Sequence, residues 1–576
     1  MATAQQSQSQ SAGDGAYDAL AYRTYFENAF TYINGFRRNV RRFAGRTAID
    51  DPASGRTWTY RELGAAVDAL AAGLAELGVG RGDVVAYQLF NGPEFAQLYL
   101  ATQVAGAVGS PMNFRLASGE TSYILTHNRP RVFFYDSANA AMSAEALNRS
   151  GHVPETIVAV GPGEPIAAPD GARVVRFDDV AASTGPVPQV DRTIWEETTR
   201  LYTSGTTGMP KGVPMNSAIE IFSAHDVIMQ FPLAPEDATL NMSPWFHRGG
   251  LYCAGPNPSF YVGGSVVPLR TFDADTVLDL VASRGLTFLI GAPTNLAMLS
   301  DAQEARARDL STLRGVVTMG SPLDREAALR YQRLLHPRIF NGYGSTEGFW
   351  NTFLRPVDLP EMAGTAGRAC IDDDVAVVKL FDDRPAQPHE TVARDGREVG
   401  EVIVRSPKSA GQYSANPEQD AAKFHDGWLH IGDLATWDDG EYVTIVGRRD
   451  DMLLSGGENV HPVGVEAALC EHPGVADALV VGVPDDTWGQ LVVAYIVPRA
   501  GAGLPEDGRA AADALDAHCR THPMLSRFKR PRAYRMVDAL PVSATGKKLH
   551  YKATATARDD MAQGLFTRTG GGDGDA

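Results

Sequence analysis

Cysteine is scarce: the 576 residues hold only Cys253, Cys370, Cys470 and Cys519. No two stand in C-x-x-C spacing, so a zinc site or disulfide framework is not expected, and a reducing cytoplasm fits. Long apolar runs are missing too. No window approaches the ~18 apolar residues of a membrane span. Residues 1–15, rich in Gln, Ser and Ala, lack the apolar core of a signal peptide. Basic residues are in deficit, 52 Lys and Arg against 69 Asp and Glu, for a net charge of −17. That balance opposes non-specific nucleic-acid binding. What is present is a 44% hydrophobic chain long enough for two or more domains.

Thr59-Tyr60-Arg61-Glu62 reads as a capping box, followed by Leu63, Val67, Leu70, Leu74 and Leu77 at helical spacing, with Gly78 as a stop. Short apolar runs at 83–87, 131–135, 264–268, 286–290 and 315–318 predict strands, with a helix over 94–105 between the first two. Strands alternating with helices argue for an α/β protein with mostly parallel sheets. Composition changes after about residue 445. A Gly-rich charged stretch there leads into a smaller α/β segment, with helices near 466–472 and 510–518 and strands at 476–483 and 492–497. The boundary falls at about Arg449. The expected division is a disordered tail over 1–20, a large domain over 21–449, a small one over 450–562, and a disordered Gly/Asp tail over 563–576.

The densest chemistry lies in Leu201-Tyr202-Thr203-Ser204-Gly205-Thr206-Thr207-Gly208-Met209-Pro210-Lys211-Gly212. Glycines let the backbone turn its N–H groups toward an anion. Hydroxyls add donors, and Lys211 adds a mobile positive charge. The run is a polyphosphate cradle, but not a Walker A loop, which needs four residues between its glycines and Ser or Thr after the Lys. A polar surface loop is the plainer alternative.

This run resembles the phosphate loop of the adenylate-forming superfamily of acyl-CoA synthetases, peptide-synthetase adenylation domains and luciferases. The resemblance covers roughly residues 30 to 560. It implies a large N-terminal domain of mixed sheets and helices with a small mobile α+β lid. It also implies that a carboxylate is joined to AMP, with loss of pyrophosphate, and then passed to a thiol. The cofactors and co-substrates implied are ATP, Mg²⁺ and coenzyme A.

Four further motifs carry the resemblance. Asn341-Gly342-Tyr343-Gly344-Ser345-Thr346-Glu347 matches the Tyr-Gly-x-Thr-Glu segment. Tyr343 is expected to stack on adenine, Thr346 to donate to the α-phosphate, and Glu347 to hold Mg²⁺ through oxygen. A tight turn with a surface Glu is the alternative. The segment lacks the third glycine of a dinucleotide fingerprint. Trp428 to Asp433 resembles the Trp-x-x-Thr-Gly-Asp motif, with Ile431 where Thr is usual; Asp433 is expected to accept ribose hydroxyls. Gly447-Arg448-Arg449-Asp450 resembles the hinge motif, Arg448 reaching the ribose and Asp450 rotating as the lid swings. Pro541-Val542-Ser543-Ala544-Thr545-Gly546-Lys547 resembles the C-terminal lysine motif. Lys547 is expected to bridge the substrate carboxylate and the α-phosphate. Lys548 departs from the pattern, where an aliphatic residue is common.

Pro244-Trp245-Phe246-His247-Arg248-Gly249-Gly250 resembles the acyl-pocket motif. His247 contacts the carboxylate or gates the thiol tunnel in this reading. The expected pocket is Trp245, His247, Gly291, Gly320, Gly342 and Phe349, with aromatic walls and glycine floors suited to a flat ring acid. Arg248 is placed to meet a phenolic or second acidic group. No Asp lies in 242–246, where amino-acid-activating relatives place one. Phe528 and Arg530, with Trp488, resemble the segment beside the CoA nucleotide in arylcarboxylate–CoA ligases, and Gly456 and Gly457 are expected to line the pantetheine path. The alternatives are a fatty acyl-CoA ligase, an enzyme loading a phosphopantetheinyl carrier protein, and a non-catalytic nucleotide-binding relative. The expected state is a monomer or homodimer.

Overall fold

Thr59 caps the helix Tyr60–Glu76 through its side chain while Glu62 bonds back to the Thr59 backbone, and Gly78 follows the helix at φ +81°. The next helix, Pro93–Val104, has Pro at its first turn and is buried along nearly its whole length. The strand Val132–Asp136 is buried at every position. A parallel strand covered on both faces reads this way, as a continuous apolar run.

The structure is a computed structural model. It describes residues 18–569 except 170, 205–209, 321–322, 382, 456–457, 486–487, 502, 523–524, 526–528 and 543–547. The fold is mixed α/β, with three sheets up to residue 448 and one beyond it. A seven-stranded sheet runs in the order Arg173–Arg176, Thr156–Val160, Val132–Asp136, Val84–Gln88, Val108–Pro111, Glu197–Ser204, Pro210–Asn216, parallel until its last pair. A nine-stranded sheet has a parallel centre in which Ala238–Asn241, Phe288–Gly291, Gly315–Met319 and Ile339–Ser345 are successive neighbours. One apolar cluster joins the two sheets, with Tyr87 and Phe134 from the first and Phe288 and Ile290 from the second. A five-stranded antiparallel sheet built around Trp428–Trp437 follows. The C-terminal segment forms a six-stranded sheet around the hairpin Val475–Asp485/Gly489–Pro498, packed on the helices Pro462–Cys470, Gly508–Thr521 and His550–Ala562.

Two expectations about the ends are corrected. The helix Ala19–Ala29, capped by Asp18, begins inside the segment expected to be a tail. Thr567–Arg568 pairs with Ala533–Met536, so ordered chain continues past 562. Its partner strand supplies backbone bonds that composition does not reveal.

Candidate active site

The carboxyl ends of the parallel strands of the nine-stranded sheet open into a cavity of about 800 Å³. In open α/β sheets ligands bind at this edge, where strands end and loops begin. Met319 ends one strand and Gly320 follows it, Ala292 follows another, and Gly342 and Gly344 sit on a third. Thr203 and Lys211 come from the facing seven-stranded sheet, where they are cross-strand partners. Asp451, Leu453, Gly482 and the segment 548–550 of the C-terminal part also line the cavity.

The polar half is a set of paired groups. Antiparallel register places Arg448 opposite Asp433. Arg448 Nη1 donates to Asp433 Oδ1 at 2.7 Å, and the Tyr343 hydroxyl donates to Asp433 Oδ2, also at 2.7 Å. Burial and the Asp433 charge push the Tyr343 phenol upward, so it stays a donor. Tyr413 donates to Glu347 Oε1 at 2.7 Å, and its phenol is likewise raised, by burial and then by Glu347. Lys211 Nζ lies 5.4 Å from the Tyr413 ring and donates to Gln419 Oε1. Thr346 and Glu347 both line the cavity.

Backbone geometry explains why glycines recur here. The hairpin Ile339–Ser345/Phe349–Leu354 shifts register between Tyr343 and Gly344, and a Cβ on Gly344 would lie 1.5 Å from the Phe349 carbonyl oxygen. Phe349 itself takes φ +62°, a rare conformation for a bulky residue and one that concentrates at functional sites. Gly320 takes φ +89° with open space where a Cβ would stand.

On the apolar half, His247 lines the cavity and is half-buried against the Phe246 ring, 4.2 Å between centroids. Burial, with Arg115 nearby, lowers its pKa to about 4, so it is neutral at ordinary pH. Phe349 and Trp350 stack 5.1 Å apart at 17° and line the wall with Met319 and Cys253.

Several sequence expectations are corrected. Trp245 does not line the cavity: it is 1% exposed and packs edge-on against Phe95 in the core. The Cβ direction of Gly291 is filled by Met242 and Asn295, and Ala292 lines the cavity instead. Asn341 and Tyr343 are not among the lining residues, although Tyr343 reaches the site's edge through its bond to Asp433. The space above Gly342 is not free either, since a Cβ there would lie 2.6 Å from the Trp350 indole nitrogen. Arg530 is 4% exposed and 3.5 Å from Asp516, so it is a buried ion-pair member rather than a surface cation. Arg532 lies over Trp488, at 4.9 Å. Gly205, Thr206, Thr207, Gly208, Gly456, Gly457, Phe528 and Lys547 lie outside the described residues. Ser204 ends its strand, and Asp450 lies in the short turn Arg449–Asp451.

Tyr413, Gln419, Met319, Cys253 and Trp350 were not anticipated. Trp350 was within reach, since it follows Phe349 in the same hairpin. Nothing local marks Tyr413, which meets Glu347 from 66 positions away. Among the described residues, no cluster of three or more His, Cys, Asp or Glu could hold a metal, and no helix is long and apolar enough to cross a membrane.

A family model described as AMP-binding enzyme matches residues 36–414, and one described as AMP-binding enzyme C-terminal domain matches 464–547. A feruloyl-CoA synthase of an Amycolatopsis species is 33% identical over 499 residues, 86% of this chain and 93% of that one. A fatty acid–[acyl-carrier-protein] ligase of Streptomyces coeruleorubidus is 33% identical over 505 residues, 86% of this chain and 91% of that one. The structure of o-succinylbenzoate coenzyme A synthetase from Bacillus subtilis, in complex with ATP and magnesium ion, superposes with a TM-score of 0.75 at 25% identity, covering 90% of this chain and 98% of that one.

Proposed function

The chain belongs to the AMP-binding enzyme family, the adenylate-forming acid–thiol ligases, and we propose that it joins an aromatic monocarboxylic acid to coenzyme A through an acyl-AMP intermediate. The observation that carries this reading is the convergence of Thr203, Lys211, Thr346, Glu347, Asp433 and Arg448 on one cavity whose other half is apolar.

In the first step the carboxylate attacks the α-phosphorus of ATP, forming acyl-AMP and releasing pyrophosphate. The loop 203–211, with Lys211, holds the pyrophosphate, and Thr346 donates to the α-phosphate. Asp433 and Arg448 fix the ribose, and Lys547 orients the carboxylate. Such a reaction is driven by positioning and charge stabilisation. A single carboxylate, Glu347, beside phosphate oxygens and water suits Mg²⁺ better than an all-protein cage does. When bound there, Mg²⁺ neutralises phosphate charge. In the second step the segment 450–562 turns about Asp450, withdrawing Lys547 and admitting the thiol, and the thiolate displaces AMP from the acyl carbon. One site cannot present a lysine and a thiol to the same carbon at once, which is the physical reason for a moving lid.

The acyl half favours an apolar acid with one carboxylate. His247 is neutral and offers no charge to a second acidic group, and both terminal nitrogens of the Arg248 guanidinium already donate to backbone carbonyls. The stacked Phe349–Trp350 pair offers a flat wall. A carrier-protein acceptor with a fatty acid is the second reading, favoured by the Streptomyces coeruleorubidus relative. ATP–pyrophosphate exchange across aromatic, fatty and dicarboxylic acids, followed by transfer to free CoA or a holo carrier protein, tests both. Activity that rises steadily with alkyl length and stays low for every aromatic acid would overturn the aromatic reading.

A further inference from the structure

Arg248 belongs to the acyl-pocket segment, yet its guanidinium is turned toward the nucleotide half. It is 3% exposed. Nη1 donates to the carbonyl oxygens of Thr346 at 2.5 Å and Glu347 at 3.1 Å. Nη2 donates to the Lys408 carbonyl at 2.6 Å and to Ser223 Oγ at 3.4 Å. The guanidinium carbon lies 5.2 Å from the Phe349 ring centroid and 5.6 Å from that of Tyr252.

Each partner leads to a group of the site. Thr346 and Glu347 form the turn of the strained hairpin, between Ser345 and Phe349. Lys408 begins a strap whose Ala410 N–H donates to the Glu347 carbonyl at 2.8 Å and whose Tyr413 holds the Glu347 carboxylate. The same strap reaches the phosphate loop, Ser414 N–H donating to the Gly212 carbonyl at 2.8 Å. Lys408 is itself pinned between Asp226 at 3.0 Å and Asp373 at 3.1 Å, both buried. Arg248 therefore joins three separate chain segments at one planar fork. No ammonium could do this, because a lysine lacks the rigid divergent donors.

Resting on the adenylation reading above, we infer that Arg248 is a positioning residue that couples the acyl-pocket helix Arg248–Tyr252 to the Thr346–Glu347 turn. It sets the α-phosphate and Mg²⁺ groups without touching the acid. A shift of the helix on acid binding is transmitted to the nucleotide side through two carbonyl contacts. This role opposes the sequence expectation that Arg248 meets a polar group on the substrate.

The test compares wild type with Arg248→Lys and Arg248→Met, in full-length protein, by ATP–pyrophosphate exchange, by thioester formation from supplied acyl-AMP and by thermal melting. Arg248→Met should raise the KM for Mg·ATP and the Mg²⁺ needed for half-maximal exchange by about tenfold or more, the scale of a lost charged hydrogen bond. The KM for the acid should stay within about threefold, and Arg248→Lys should recover only part of the nucleotide defect. A rise in the acid KM with unchanged Mg·ATP parameters would overturn the inference and make Arg248 a substrate contact. A lower melting temperature with every KM unchanged would overturn it in favour of a purely structural brace. If Arg248→Met does not fold, Arg248→Lys decides by the same split, since it keeps the charge and loses the fork. Wild type that exchanges no pyrophosphate with any acid would instead sink the adenylation reading.

Discussion

The Tyr413 hydroxyl donates to Glu347 Oε1 across 2.7 Å, joining a strap residue to the carboxylate proposed to hold Mg²⁺. The bond leaves the other carboxylate oxygen for the metal and fixes the plane in which it points. A hydrogen bond to a charged acceptor is worth roughly 1.5–3 kcal/mol. Tyr413→Phe should therefore raise the Mg²⁺ concentration for half-maximal pyrophosphate exchange by about tenfold, with the fold intact. Titrating Mg²⁺ at saturating ATP checks this, and an unchanged midpoint would remove Tyr413 from the site.

Gly342 and Trp350 share one space. A side chain at 342 must push the indole into the cavity, since its Cβ would start 2.6 Å from the Trp350 nitrogen. Overpacking of this kind costs about 1–3 kcal/mol. Gly342→Leu should lower the melting temperature and raise the KM for bulky acids most, while the KM for ATP changes little. Equal loss for small and bulky acids would show that Trp350 is not a wall of the acyl subsite.

Glu220 is fully buried beneath the strand that leads into the phosphate loop. It accepts from Thr198, Thr199 and Tyr252, and from Gln103. Burial raises its pKa to about 7, the hydrogen bonds opposing that shift. The folded state thus keeps a proton that the unfolded chain releases near its ordinary value. Stability is fully present below the unfolded pKa and falls as pH rises to about 7, by at most about 1.4 kcal/mol per pH unit. Urea midpoints taken at pH 5 and pH 8 should drop across this window in wild type, and the drop should shrink in Glu220→Gln. An identical slope in both proteins would show that Glu220 does not hold the proton.

Arg530 tests a corrected expectation. Removing one member of a buried ion pair leaves its partner uncompensated, at a cost of about 3 kcal/mol. Arg520 stays 2.7 Å from Asp516, so Arg530→Ala should destabilise the C-terminal region by less than that full penalty, and leave the KM for CoA within about threefold. Arg532→Ala, which strips the cation from the face of Trp488, should change the CoA KM more. A CoA defect confined to Arg530→Ala in a protein of normal stability would restore the original reading.

The sequence by itself determined the elements and the motifs whose chemistry is local. The Thr59–Glu62 box and the Tyr343–Glu347 turn are legible because donors, glycines and charges lie within one short segment, where backbone conformation alone brings them together. Asp433 and Arg448 were each legible from their own motifs, but their pairing across one antiparallel ladder was not. Only the tertiary structure decided where the neighbouring side chains point and what they meet. Trp245 turned into the core and Trp350 into the cavity, a choice made by strand and loop direction that residue type does not carry. Arg248 meets Thr346 across 98 positions and Lys408 across 160, and Arg530 finds Asp516 on another element. Such contacts are selected by packing and by the need to pair buried charge. No spacing in the chain records them.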